Sequence, residues 1–323
     1  MIRTLTASAL ALAVASPALA ENWDLPAAYP ATNFLTMIAQ DFADCVGEKT
    51  GGALTITVHA NGSLFNGADI KRAVQTGQAQ IGERLTSAHE NENALFGYDS
   101  IPFIASSFDA SDALAEAVKP ALTELLDSQN LVLIYTAQWA PQGLYTKIDV
   151  NSAADLKGIK FRAYNASTAR IAAMAGMEPV QIEAAELPQA LATGVVESFL
   201  SSGSTGVDSK VWESLDHWYD LKAWIPRNTV FANKDAFNAL PQEQQDAIMA
   251  CGEAAGEQGK ATARDIAGKL IDELRAHNMT VEEPSEQLKA DFEGYGKIMV
   301  EEWLAKVDDN TRAAVEGFIA SQQ

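Results

Sequence analysis

The chain has little with which to do chemistry. It holds four histidines, His59, His89, His217 and His277, each isolated, and two cysteines, Cys45 and Cys251, neither near a histidine or the other cysteine. That spacing matches no HExxH pattern, no zinc site and no thiol–imidazole pair. The nearest approach to a serine or phosphate loop, SSGSTG at Ser201 to Gly206, fits neither GxSxG nor GxxxxGK[ST] and reads as a flexible connection beside a strand end. Positive charge is also scarce: 23 Lys and Arg stand against 43 Asp and Glu, a formal net charge of −20. So acidic a chain is a poor partner for nucleic acid or an anionic membrane surface, and the charge is read as serving solubility. No cofactor and no metal are expected.

Long apolar runs are missing, apart from one short stretch at the start. MIRTLTASALALAVASPALA carries Arg3, an apolar segment from Leu5 to Ala15, Pro17 and then Ala18-Leu19-Ala20. The segment is too short to span a bilayer and has the layout of a cleavable export signal cut after Ala20. The mature protein is therefore expected to begin at Glu21 and to work in the periplasm, which excludes most ATP-dependent and NAD-dependent chemistry. An oxidising compartment permits one disulfide, Cys45–Cys251; two buried free thiols are the competing reading.

What the chain does have is alternation. Hydrophobic residues make up 47% of it, enough for a packed core. Leu35, Ile38, Phe42 and Val46 recur at helical spacing after a cap at Thr32 or Asn33, and Gly51-Gly52 ends the helix. Leu54, Ile56 and Val58 then alternate as a strand, Ile70 to Thr76 reads as a helix, and residues 79–83 as a short strand. A helix over 110–128 precedes the apolar strand LVLIY at Leu131. The pattern restarts at IKFRAY, Ile159 to Tyr164, with a helix at 167–175, the strand-like EPVQIE, a helix from about Glu186 and the strand VVESFL. Strands alternating with helices predict an α/β fold with largely parallel sheets. Pro241 opens one long helical pattern, weakened by Gly252, Gly256, Gly259 and Gly268, and Phe292 to Phe318 is helical again.

AVQTGQAQIG from Ala73 and ALATGVVESF from Ala190 share one local plan, a helix end, Thr-Gly, then a strand. This pairing suggests two lobes, with Arg84 and Ser201 just past equivalent strand ends, where open α/β sheets bind ligands. Arg162 is a guanidinium inside an apolar strand. Either it pairs with a core acid or reaches water, or it faces a cleft and grips a carboxylate through two parallel hydrogen bonds. Asn165 adds an amide three residues later, or caps a helix. Trp139, Tyr145, Tyr164 and Trp224 border the expected cleft, and Asn33 joins the ligand-binding candidates.

Several stretches in fixed order resemble the solute-binding proteins of tripartite ATP-independent periplasmic (TRAP) transporters, of the C4-dicarboxylate-binding type. They are EKTGGALTITVHANGSL, AVQTGQAQIGE, DLKGIKFRAYNAS and AMAGMEPVQIEAAELPQALATGVVES. The resemblance implies a two-lobe α/β fold with a hinged cleft and a long helix spanning both lobes. Lobe 1 would comprise 21–143 with a return segment at about 229–268, and lobe 2 144–228 with C-terminal helices at about 269–323. It implies a receptor that traps a small organic acid and delivers it to membrane subunits. It places the family's carboxylate-binding Arg on Arg162, the Asn of its R-x-x-N arrangement on Asn165, and its polar cleft residue on Ser201. Many members carry a second Arg where this chain has Tyr145, so a ligand with one main carboxylate is expected, with Arg84 as a candidate for compensation. A monomer is expected. A secreted α/β enzyme and the ligand-binding part of a sensor are the alternatives.

Overall fold

The computed structural model describes residues 20–322; the expected export signal falls almost wholly outside them. The first half-chain runs β1 (Glu21–Pro26), α1 (Phe34–Lys49), β2 (Leu54–His59), α2 (Ile70–Gln75), β3 (Ile81–Leu85), α3 (Phe108–Ser128) and β4 (Leu131–Gln138). Next come β5 (Gly143–Thr146), β6 (Lys160–Ala163), α4 (Ala166–Met174), β7 (Glu178–Gln181), α5 (Leu187–Ala192), β8 (Ser198–Ser201), α6 (Gly203–Asp208) and β9 (His217–Tyr219). The chain then returns through β10 (Arg227–Asn233), α7 (Lys234–Ala239), α8 (Gln242–Ala276), β11 (Thr280–Glu282), α9 (Glu286–Leu304) and α10 (Asp309–Ser321). No described helix is long and apolar enough to cross a membrane.

These elements build two sheets, one per lobe. In the first, β3, β10 and β4 lie in that order, and a bridge from Ala27 to Glu83 joins β3 to the parallel pair β1 and β2. The second has the order β11, β9, β5, β8, β6, β7. The expectation of largely parallel sheets needs correcting: β10 runs antiparallel to β3 and β4, and β5 antiparallel to β8 and β9. Both follow a crossover from the other lobe, so each enters its sheet without a covering helix to reverse its direction. The crossovers hold one another. Trp139 N–H donates to Pro226 O, Gln142 N–H to Trp224 O, and Ala223 N–H to Gln142 O. Two backbone segments paired in this way form a hinge.

Each lobe buries its sheet between helices. The second sheet packs Tyr145, Phe199 and Trp218 on one face with Leu274 of α8, while Leu144, Leu200 and Phe161 belong to the other, larger core. Such alternation along a strand is what a sheet covered on both faces requires. The long helical pattern is the single 35-residue helix α8, about 52 Å at 1.5 Å per residue. It packs on α1 and β4 of the first lobe and on α6 and β11 of the second. Cys45 of α1 and Cys251 of α8 form the disulfide, closing a separation of 206 residues within the first lobe. The C-terminal helices do not stay together. Asp308 caps a break, α9 lies on α4 of the second lobe, and α10 crosses back onto α3 of the first.

SSGSTG is not a flexible loop. Ser202 Oγ accepts from Thr205 N–H and caps α6, and the hydroxyl of Ser201 donates to Thr205 Oγ1 at 2.7 Å. Gly206 leaves room on that helix for the Tyr145 hydroxyl, which a Cβ there would meet at 2.3 Å.

Candidate functional site

A cavity lies between the lobes, lined by Tyr29, Arg84, Leu85, Trp139, Gln142, Arg162, Tyr164, Glu183, Ala184, Ser201, Thr205 and Pro226. Both sheets contribute. Arg162 on β6 and Ser201 at the end of β8 come from neighbouring parallel strands near their carboxyl ends, and Arg84 comes from β3 opposite. On β6, Phe161 turns into the core and Arg162 turns the other way, as alternation demands.

Arg162 is 4% exposed. Its Nε donates to Ile182 O at 2.9 Å, and its guanidinium carbon lies 4.9 Å from the centre of the Tyr164 ring. Neither Nη atom has a hydrogen-bond partner among the described residues. Burial pulls its pKa down to about 10, so it stays a cation at neutral pH. Nearby Tyr29 also has a hydroxyl without a described partner. Burial pushes its pKa up to about 12, leaving it a neutral donor. Trp139 stands edge-on to Tyr29, with centroids 4.7 Å apart, and its indole N–H is fixed on Asn228 Oδ1 at 2.8 Å.

Arg84 is placed on the cavity wall, where its charge is paired through one nitrogen while its buried Nε has no hydrogen-bond partner among the described residues. Its Nη2 donates to both oxygens of Glu183, at 3.0 and 2.8 Å, across the cleft. Further cross-lobe bonds accompany it. Asn33 Nδ2 donates to Asp208 Oδ2 at 2.7 Å and Asn165 Nδ2 to Ser87 Oγ at 3.0 Å, while the Ser167 hydroxyl donates to Glu90 at 2.8 Å. The cleft is shut.

Five sequence candidates line the cavity, Arg162, Arg84, Trp139, Tyr164 and Ser201; the other four do not. Tyr145 is fully buried, stacked on Phe199 at 4.5 Å, and its hydroxyl is spent on Ser202 O at 2.9 Å. It therefore cannot stand in for a cleft cation. Trp224 is buried behind the wall and supports Gln142 through its backbone. Asn165 caps α4, its Oδ1 accepting from Thr168 N–H, and Asn33 caps α1 in the same way through Leu35 N–H. Both amides serve closure rather than lining. Tyr29, Gln142, Glu183 and Thr205 were not singled out from the sequence. Glu183 alone carried a signal: an acid just past the EPVQI strand, at the kind of place already assigned to Arg84.

Known proteins share this fold. The family model described as bacterial extracellular solute-binding protein, family 7, matches residues 27–306. A marine-metagenome TRAP solute-binding protein, solved with co-purified pyroglutamate, is 46% identical with a TM-score of 0.91, covering 93% of this chain and 98% of its own. An extracytoplasmic solute receptor of Bordetella pertussis, described as binding pyroglutamic acid, is 43% identical at a TM-score of 0.91, covering 93% and 99%. The 2,3-diketo-L-gulonate-binding periplasmic protein of Escherichia coli is 25% identical over 75% of each chain. An uncommitted buried cation in a shut two-lobe cleft, and a match across most of the chain, lead to one conclusion: the chain belongs to family 7 of the bacterial extracellular solute-binding proteins, the carboxylate-binding receptors of TRAP transporters.

Proposed function

We propose that this receptor captures pyroglutamate, or a small cyclic acid of the same size and charge, and hands it to the membrane subunits unchanged. The observation that carries the reading is Arg162, whose two Nη groups face the cavity without a hydrogen-bond partner among the described residues. A carboxylate matches that fork in shape and charge. Trp139, Tyr164, Pro226 and Leu85 offer apolar faces to ring methylenes, and Glu183, the Tyr29 hydroxyl and the Ser201–Thr205 hydroxyls offer acceptors and donors to a lactam. Receptors 40–46% identical are described as binding this ligand, which supports the same reading. The hinge follows the boundaries near 143/144 and 228/229, export uses a signal cut after Ala20, and the receptor works as a monomer.

The test is calorimetric titration with L-pyroglutamate, proline and succinate, beside thermal melts. Only pyroglutamate should bind tightly, and at a hundredfold excess over Kd it should stabilise the fold by about 2.7 kcal/mol. Arg162→Ala should remain folded and lose about 2–5 kcal/mol of binding; Arg162→Lys should recover only part, since an ammonium lacks the fork. Near-wild-type affinity in folded Arg162→Ala would refute the anchor.

A further inference from the structure

We infer that Glu183 sets the charge of the acceptable ligand: by holding Arg84 in a cross-lobe ion pair, it leaves the cavity one unbalanced cation, so the site takes monoanions and turns dianions away. This rests on the reading of Arg162 as the carboxylate anchor.

The charged groups on the cavity wall are Arg84, Arg162 and Glu183. Tyr29 and Tyr164 are kept neutral by burial, which raises both hydroxyls. Arg84 and Glu183 are nearly out of water, with side chains 5% and 17% exposed, and the bond takes both carboxylate oxygens. Gly67 lies against the pair. A Cβ there would stand 2.7 Å from Glu183 Oε2 and 2.8 Å from Arg84 Nη1, so that turn crowds the pair from one side. Arg84 holds Glu183 through Nη2 alone, and its buried Nε has no hydrogen-bond partner among the described residues, so a second ligand carboxylate that reached Arg84 would lie beside Glu183. Glu183 would then face that carboxylate as a like charge with little water between them, an arrangement that rejects a partner more effectively than a missing contact does. A site with two free guanidinium groups would welcome a diacid; pairing one of them internally converts the same wall into a monoacid site.

The experiment compares wild type, Glu183→Gln and the double variant Arg84→Gln/Glu183→Gln in calorimetric titrations with pyroglutamate and glutarate, a five-carbon diacid. Both variants lose the cross-lobe ion pair, but only the single variant gains net positive charge. The single variant should shift the glutarate-to-pyroglutamate affinity ratio by roughly tenfold or more towards glutarate, while the double variant should not. Glu183→Ala, with the same change of charge and a smaller side chain, should repeat the single variant's shift. An equal shift in the double variant would assign the effect to looser closure and overturn the inference, as would no shift in either single variant. If wild type fails to bind pyroglutamate yet the single variants still gain glutarate, the pyroglutamate reading falls and the charge rule stands.

Discussion

Buried acids at single positions tie this fold to pH. Glu83, on β3 beside the bridge to β1, is 1% exposed; it accepts from Asn228 Nδ2 at 3.0 Å through Oε1 while Oε2 has no described partner. Burial pushes its carboxyl up to about 7, against the Asn228 hydrogen bond. The folded chain therefore keeps a proton here that the unfolded chain gives up near the ordinary value of 4.5. With more protons bound in the native state, stability falls as pH rises between those two values, by roughly 3 kcal/mol for this group. Glu83→Gln mimics the protonated acid and keeps the Oε1 acceptor. Its melting temperature should match wild type near pH 4, below the ordinary carboxyl value, and exceed it at pH 8; parallel curves would show that Glu83 carries none of the slope. Asp99, also pushed up to about 7 by burial, should leave a residual slope of the same sign in the variant. At this scale the sequence points to the cavity where a charge interrupts an apolar strand, as at Arg162, and where the repeated unit marks a strand end, as at Arg84 and Ser201. Tyr29 and Gln142 sit in unremarkable loops and Thr205 in the short helix α6, and they meet only because distant segments converge.

Among the elements, α8 shows how propensity misleads. Its glycines read as weaknesses in a helix, but three of them face β4. A Cβ on Gly252 would meet Ile134 Cγ2 at 2.7 Å, one on Gly259 would meet Ala137 Cβ at 2.8 Å, and one on Gly256 would have only ordinary contacts at 3.5 and 3.7 Å. The helix lies close to the strand because those side chains are missing. Gly259→Ala should therefore cost about 1–3 kcal/mol through overpacking, whereas Gly256→Ala should be neutral or gain up to about 1 kcal/mol from helix propensity. Urea unfolding of the pair measures the contrast, and equal losses would mean that propensity, not space, governs the face. Helices with a clear apolar stripe, such as α1, were legible to the residue. Strand β10 was not: all seven of its residues are buried, Arg227, Asn228, Thr229 and Asn233 among them, so no two-residue rhythm marks it. Several of its polar groups find tertiary partners, such as Asp112, which accepts from Arg227 Nη2 at 2.5 Å.

For the whole molecule, ligand capture is a contest between an open and a shut cleft. The two-lobe plan could be read from the repeated helix–Thr-Gly–strand unit and from the family resemblance; the bonds that hold the lobes shut could not, since each joins residues far apart in sequence. Asn33 and Asp208 are 175 residues apart and meet at 2.7 Å. Asn33 is 1% exposed in the shut form, so its amide depends on that acceptor, whereas lobe opening would give it water. Removing the acceptor should penalise the shut state selectively. Asp208→Ala should cost about 1–3 kcal/mol of binding, roughly a fivefold to hundredfold rise in Kd, carried mainly by faster release. The ion pair of Arg170 and Glu302 supplies the contrast: it joins α4 and α9 on the same lobe, with side chains 45% and 37% exposed. Exposed pairs of this kind contribute about 0–1 kcal/mol to stability, and this one does not bridge the cleft, so Glu302→Ala should leave affinity unchanged. Stopped-flow fluorescence, with Trp139 on the cavity wall as reporter, separates the rates. A slower association with unchanged release in Asp208→Ala would place the bond in an encounter step and not in the closed state.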